Sequence, residues 1–214
     1  KYNSLGLEAD DLKLSSQFRV LGGENYISFI NSFLGYENRL TKFSNRKNYD
    51  FRVFDKPTSL WEAIKEKQKE HPYSRLLAGY TRDWISKKDD TLYDFDLENG
   101  RFKMRWNKET RESYINDLSQ FDRIGSIHTI QGVDMDYAGV IIGKDMKYRN
   151  GKIVFDKSAN AKTDRASGIR NSSDEDAEFL IRNTYKVLLT RGIHGTYVYC
   201  EDKALNEYLK SFIK

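Results

Sequence analysis

The chain holds 214 residues, enough for one large domain or one domain with an insertion, and its 32% charged and 38% hydrophobic residues allow a buried core rich in Tyr and Phe. A net charge of +4 permits a nucleic-acid partner without arguing for one, and the single cysteine, Cys200, gives no disulfide framework and no zinc site, as fits a reducing cytoplasm. No apolar run approaches the ~20 residues that span a bilayer, so a membrane partner is not expected. The opening KYNSLGLEADDLKL has neither an initiator Met nor a signal-peptide h-region, as expected of a piece of a longer protein.

Residues 12–21 read as a strand-like segment containing Gln17, Phe18 and Arg19. Tyr26, Phe29, Ile30, Phe33 and Leu34 then repeat at the spacing of one buried helix face, with Gly22 and Gly23 before the helix and Gly35 after it. Residues 42–50 form a polar, basic connection and 51–54 a short strand. Ser59 and Glu62 have the spacing of a capping box, which predicts a helix with Trp61 and Ile64 on its buried face and Pro72 as its stop. Residues 74–80, SRLLAGY, read as a buried strand, with Thr81, Arg82, Asp83 and Trp84 beyond its carboxyl end. A hairpin is predicted at 93–105 around Asn99-Gly100, with Trp106 plugging it onto the core. The alternating Asp94, Asp96 and Glu98 read as a solvated edge face and not as metal ligands.

The densest chemistry lies in residues 123–143, RIGSIHTIQGVDMDYAGVIIG. Two apolar strands flank a turn in which His128, Thr129, Gln131, Asp134 and Asp136 crowd around Gly132, a residue suited to positive φ or to close approach of a ligand. A polar loop between buried strands is where α/β sheets usually carry function. A second hairpin, turned at Asn150-Gly151, precedes a polar segment, 156–171, expected to be a mobile loop. Ser172 and Glu175 suggest another capping box, opening a helix that buries Leu180, Thr184, Val187 and Leu188 and ends at Leu189-Thr190-Arg191-Gly192. A strand at 196–200 and a last helix capped by Asp202 complete the chain. Alternating strands and helices predict a single α/β domain over 1–214, three-layer α/β/α with a mainly parallel sheet, and with insertions at about 87–107 and 146–171.

Ser126, His128, Gln131, Gly132, Asp134 and Asp136 fill a pattern that resembles motif V of superfamily 1 helicases. Residues 183–200, NTYKVLLTRGIHGTYVYC, are similar to motif VI, and Gln17-Phe18-Arg19 to motif IV. Together with the AGYTRDW segment, these stretches resemble the Schlafen-group-3-like DNA/RNA helicase family from about Leu12 onward. No Gly-x-x-x-x-Gly-Lys-(Ser/Thr) occurs in the chain, and no strand ends in an acidic pair suited to Mg²⁺. The resemblance therefore implies the second, C-terminal RecA-like motor domain, which closes over ATP and Mg²⁺ gripped by an N-terminal RecA-like domain of the same parent chain.

On that resemblance Arg191 is the arginine finger and Arg19 a second contact to the same phosphate. Phe18 packs near the base, Gln131 and the Gly132 amide lie by the γ-phosphate, and Asp134 lies near the ribose. Gln131 stands where many relatives have lysine. Ser126, His128 and Thr129 face single-stranded DNA or RNA. Trp84 is either a stacking platform for a base or a core or interdomain residue. A helicase-like sensor that binds nucleotide or nucleic acid without unwinding is the alternative. A metal-dependent nuclease built on Asp94 and Asp96, or on Asp134 and Asp136, lacks a convergent ligand set, so no metal ligands are expected.

Overall fold

The computed structural model, which describes residues 20–37, 41–44, 47–108 and 111–213, arranges seven strands in one sheet, the central ones buried on both faces and the outer ones partly exposed. Its strands are β1 (Asp50–Val53), β2 (Arg75–Ala78), β3 (Phe95–Leu97), β4 (Phe102–Trp106), β5 (Arg123–Ser126), β6 (Met135–Ile142) and β9 (Gly192–Cys200). They lie in the order β1-β9-β6-β2-β5-β4-β3. Every neighbouring pair is parallel except β3 with β4. A separate antiparallel hairpin pairs β7 (Met146–Arg149) with β8 (Lys152–Phe155). The helices are α1 (Gly23–Phe33), α2 (Pro57–Gln68), α3 (Arg111–Asn116), α4 (Asp174–Leu189) and α5 (Lys203–Lys210).

The pleat divides the core into two. Leu77, Val140, Ile142 and Val198 pack with apolar residues of α1, α4 and α5, whereas Leu76, Ala78, Ile141 and Tyr197 pack with Leu60 and Ile64 of α2. The result is a three-layer α/β/α domain with a mostly parallel seven-stranded sheet plus a hairpin. The predicted face of α1 is the observed one, with Tyr26, Phe29, Ile30, Phe33 and the following Leu34 all buried.

Local differences from the sequence reading have identifiable causes. Helix α2 starts at Pro57, whose fixed φ suits the first helical position, so Ser59 lies inside the helix and makes no cap. The helix ends at Gln68, before Pro72, and it is Leu60 with Ile64 that is buried, while Trp61 lies half-covered 4.7 Å from the Phe121 ring. The cap of α4 is Ser173, whose hydroxyl accepts from Asp176 N at 3.0 Å. Its buried face runs through Ala177, Ile181, Tyr185, Leu188 and Leu189; of the expected stripe Leu188 is buried, whereas Leu180, Thr184 and Val187 lie one position off it and are half-covered.

The β3–β4 hairpin is continuous with the main sheet, because β4 pairs in parallel with β5. Asp94 is not solvated: it is buried, and its carboxylate accepts from Ser86 N at 3.0 Å and Trp106 N at 2.8 Å. Trp106 is buried as expected and donates its indole N–H to Arg82 O at 3.2 Å. Residues 156–171 are not a loose loop. Ala161 N donates to Tyr80 O at 2.9 Å, Thr163 N to Asp83 at 3.0 Å, and Arg170 to the carbonyls of Ser158 and Asn160 at 2.7 Å each.

Asp145, just beyond β6, is wholly enclosed and accepts from the Tyr185 hydroxyl, which itself accepts from Gly143 N at 2.8 Å. Burial pushes its carboxyl up to about 7. A carboxyl with a raised folded pKa favours folding below its unfolded value near 4, and this stabilisation is lost as pH rises through about 7. Asp145→Asn, which keeps an acceptor for Tyr185 without the charge, is therefore expected to raise Tm at pH 8 and to flatten its decline between pH 5 and 8. Thermal unfolding across that range checks this; an equal loss of Tm at both pH values would contradict it.

Candidate functional site

Strands β5 and β6 flank β2 on its two sides and both run parallel to it. The chain leaving the carboxyl end of β5 must therefore return to the amino end of β6, and residues 127–134 alone make that crossing. Such a crossover ordinarily takes a dozen or more residues, usually with a helix. Here it is a tight coil: Thr129 N and Ile130 N both donate to Ser126 O, at 3.0 and 3.2 Å, and Val133 N donates to Ile130 O at 3.2 Å. Ile130 is fully buried and anchors the coil from within. Gly132 sits exposed at φ +80°, with no atom within 4 Å of where a Cβ would lie, so backbone conformation and not space calls for glycine. Ser126, His128 and Thr129 thus lie toward the carboxyl edge of the sheet, and Asp134 at the amino edge, reached through Gln131 and Gly132.

Arg191 meets the amino-edge group from the α4–β9 turn. Its Nε donates to Val187 O at 3.2 Å and an Nη to Val133 O at 3.3 Å, with Asp134 3.7 Å away. The turn is held rigidly. Tyr26 OH donates to Leu189 O at 2.7 Å, Tyr49 OH to Gly192 O at 3.0 Å, Met135 N to Arg191 O at 3.0 Å and Leu21 N to Ile193 O at 3.0 Å. Of the carbonyls at the end of α4, Leu189 O accepts from the Tyr26 hydroxyl, and Val187 O from Arg191 as well as from Thr190 N. Arg191 is 8% exposed, so its guanidinium is largely covered by these internal contacts.

At the carboxyl edge, Thr129 Oγ1 donates to Asn107 Oδ1 at 2.9 Å and lies 3.2 Å from Ser126 Oγ, while Ser126 N donates to the same Asn107 oxygen at 3.3 Å. His128 Nε2 is 3.0 Å from Asp164 Oδ1, and its ring stands edge-on to Tyr80 at 5.8 Å. Burial works against the Asp164 charge, but hydrogen bonds from His128, Ser167 and Asn160 outweigh it and hold the carboxyl down at about 2. The bond to Asp164 raises His128 above its ordinary value against partial burial. Trp84 is half-buried against the α2-side core, with Lys87 Nζ 5.1 Å from its ring, and its indole N–H finds no hydrogen-bond partner among the described residues. Asn107, Tyr80 and Asp164 were not singled out in the sequence; Asn107 directly follows β4, and Asp164 lies in a polar segment that gives no sign of where it docks. Phe18 and Arg19 lie outside the described residues.

Residues 1–202 match the family described as Schlafen group 3, DNA/RNA helicase domain. A Saccharomyces cerevisiae relative, described as uncharacterized protein YPL245W, is 32% identical over 229 residues, covering 97% of this chain and 50% of the relative. The chain thus spans about half the length of that curated relative. The solved C-terminal domain of a possible DNA helicase from Lactobacillus plantarum aligns over 86% of this chain and 93% of its own, at 11% identity and a TM-score of 0.37. The domain is thus of the helicase class, and the chain belongs to the Schlafen group 3 DNA/RNA helicase domain family. No helix among the described residues is long and apolar enough to cross a membrane.

The His128–Asp164 pair fastens residues 156–171 to the crossover. Its histidine contribution is complete below the ordinary imidazole value near 6.5 and is lost as pH rises through the raised one; its carboxylate contribution is lost as pH falls through about 2. An NMR titration is expected to place the His128 midpoint above 6.5 and Asp164→Asn to bring it down. An unchanged midpoint in the variant would contradict the pairing.

Proposed function

We propose that this domain is the second motor domain of an ATP-dependent DNA/RNA helicase or translocase, working across a cleft with an N-terminal RecA-like domain of its parent chain. The observation that carries this reading is the 127–134 crossover: one short coil joins Ser126, His128 and Thr129 at one edge to Val133 and Asp134, which hold Arg191 at the other. A shift at either end of so short a connection is transmitted to the other end.

In this reading Arg191 turns from its carbonyl contacts toward the transferring phosphoryl group and stabilises the charge spreading over its oxygens, with Arg19 as a second contact. Gln131 and the Gly132 amide lie beside the γ-phosphate, Asp134 beside the ribose and Phe18 beside the base. Single-stranded DNA or RNA crosses the carboxyl edge, contacted by Ser126, His128 and Thr129, with Trp84 at its margin. In this reading Mg²⁺ and the phosphate cradle are supplied by the other motor domain. The whole chain, 1–214, acts as one such unit, closing on nucleotide and opening after hydrolysis.

The test is ATP turnover by the full-length parent protein, with and without single-stranded DNA or RNA. Arg191→Ala is expected to cut stimulated turnover by about 10³-fold or more while nucleotide still binds. Thr129→Ala is expected to weaken stimulation by nucleic acid while leaving unstimulated turnover near wild type. Turnover that survives Arg191→Ala would sink the arginine-finger role. Nucleotide binding without any turnover in the wild type would favour a helicase-like sensor.

A further inference from the structure

Away from the residues assigned above, the amino edge of the sheet gathers two of the chain's three histidines with a carboxylate. His71 lies between α2 and β2, Asp136 is the second residue of β6, and His194 the third residue of β9. One ligand atom from each lies within 4.8 Å of the other two, and His194 Nε2 is 3.9 Å from Asp136 Oδ1. We propose that His71, Asp136 and His194 form a binding site for a borderline divalent transition metal of the Zn²⁺ class, with a position left open to water.

Several features show the site to be built. The β6–β9 register shifts between Met135, paired with Gly192, and Tyr137, paired with Gly195, so Ile193 and His194 together oppose Asp136. Such a bulge re-aims a side chain, and here it brings His194 to the carboxylate. The bulge requires glycine at both its ends. A Cβ on Gly192 would lie 2.0 Å from Gly195 O, and one on Gly195 2.4 Å from Asp50 O. Asp136 is itself oriented, because Tyr73 N donates to its Oδ2 at 3.1 Å and its own N–H returns to Tyr73 O at 3.2 Å. That leaves Oδ1 on the His194 side, the outer-shell arrangement by which ligating carboxylates are usually fixed. The rings of His71 and His194 are 5.1 Å apart, and Tyr137 lies 5.0 Å from His71 and 6.1 Å from His194, walling the site on one side. Lys67, whose ammonium sits 4.5 Å from the Tyr137 ring centre, is paired with Asp50 at 3.3 Å.

The chemistry selects the metal class. Two imidazoles and one carboxylate suit Zn²⁺ and its neighbours in the first row, whereas Mg²⁺ and Ca²⁺ call for oxygen donors. Ligand atoms around tetrahedral Zn²⁺ are about 3.3 Å apart at bond lengths near 2.0–2.2 Å, so the three groups close on an ion by small side-chain rotations. The bound ion would staple the α2–β2 connection to the β6–β9 bulge. The sequence reading set zinc aside because it found one cysteine; a site of histidine and aspartate needs none.

The experiment uses the full chain without an affinity tag, freed of metal with EDTA and titrated with Co²⁺, then Zn²⁺. One equivalent of Co²⁺ is expected to give visible d–d absorption of a four- or five-coordinate site, and Zn²⁺ to abolish it. His71→Gln and His194→Gln are each expected to weaken binding more than about 100-fold, since even second-shell losses cost about 10–100-fold. His128→Gln is expected to bind as wild type. NMR spectra confirm that each variant is folded, and His71, lying outside the strands, carries the test if His194→Gln disturbs the bulge. No Co²⁺ spectrum, dissociation constants at or above about 1 mM, wild-type binding by the His71 and His194 variants, or loss of binding in His128→Gln would each overturn the proposal.

Discussion

A parallel sheet obliges the chain to travel the height of the domain between successive strands, and residues 127–134 make that journey without a helix. This constraint organises the molecule. The coil needs Ile130 sunk in the core as an anchor, Gly132 at positive φ and two amides folded back on Ser126 O. Its shortness puts polar residues at both edges of the sheet within a few residues of one another. A longer helical crossover would separate the same side chains by independent elements that move apart at little cost.

The second constraint is the α4–β9 turn, where buried tyrosines act as hydrogen-bonding struts. Tyr26 and Tyr49 have their rings 4.2 Å apart inside the α1-side core, and their hydroxyls reach Leu189 O and Gly192 O. Each such bond contributes about 1 kcal/mol net, and Thr196 Oγ1 adds a second bond to Leu189 O at 3.3 Å. These bonds tie the turn that carries Arg191 to the α1-side core. Helix α1, far from Arg191 in sequence, belongs to the machinery that places it.

The central strands β2 and β6 were legible as short, largely apolar runs, and β6, with seven of eight positions buried, was the clearer. The α1 stripe was equally plain. Legibility failed where a residue's role depends on a partner far along the chain. Tyr185 takes the core face of α4, where a reading by hydropathy prefers Leu180 and Val187, because its hydroxyl is satisfied by Gly143 N and Asp145, about 40 residues earlier. Asp94 reads as an edge charge until Ser86 and Trp106 are seen to bond it. The motif residues around Gly132 were visible as a cluster, but Asp164, 36 residues from His128, belongs to that cluster only through the fold. The His71, Asp136 and His194 grouping is of the same kind, since three separate elements supply it.

The covered state of Arg191 follows from what surrounds it. Its guanidinium bonds two main-chain carbonyls on different elements, Val187 O on α4 and Val133 O on the crossover, and lies within 4 Å of Asp134. In the proposed role these bonds would be exchanged for charge-assisted bonds to phosphate oxygens. The planar five-donor fork is suited to this role, whereas a lysine ammonium has no means of spanning both carbonyls in one plane. In the proposed role, departure of Arg191 from Val133 O would cost the crossover a bond at the amino edge of the sheet, and the coil through Ile130 to Ser126 links that point to the carboxyl edge.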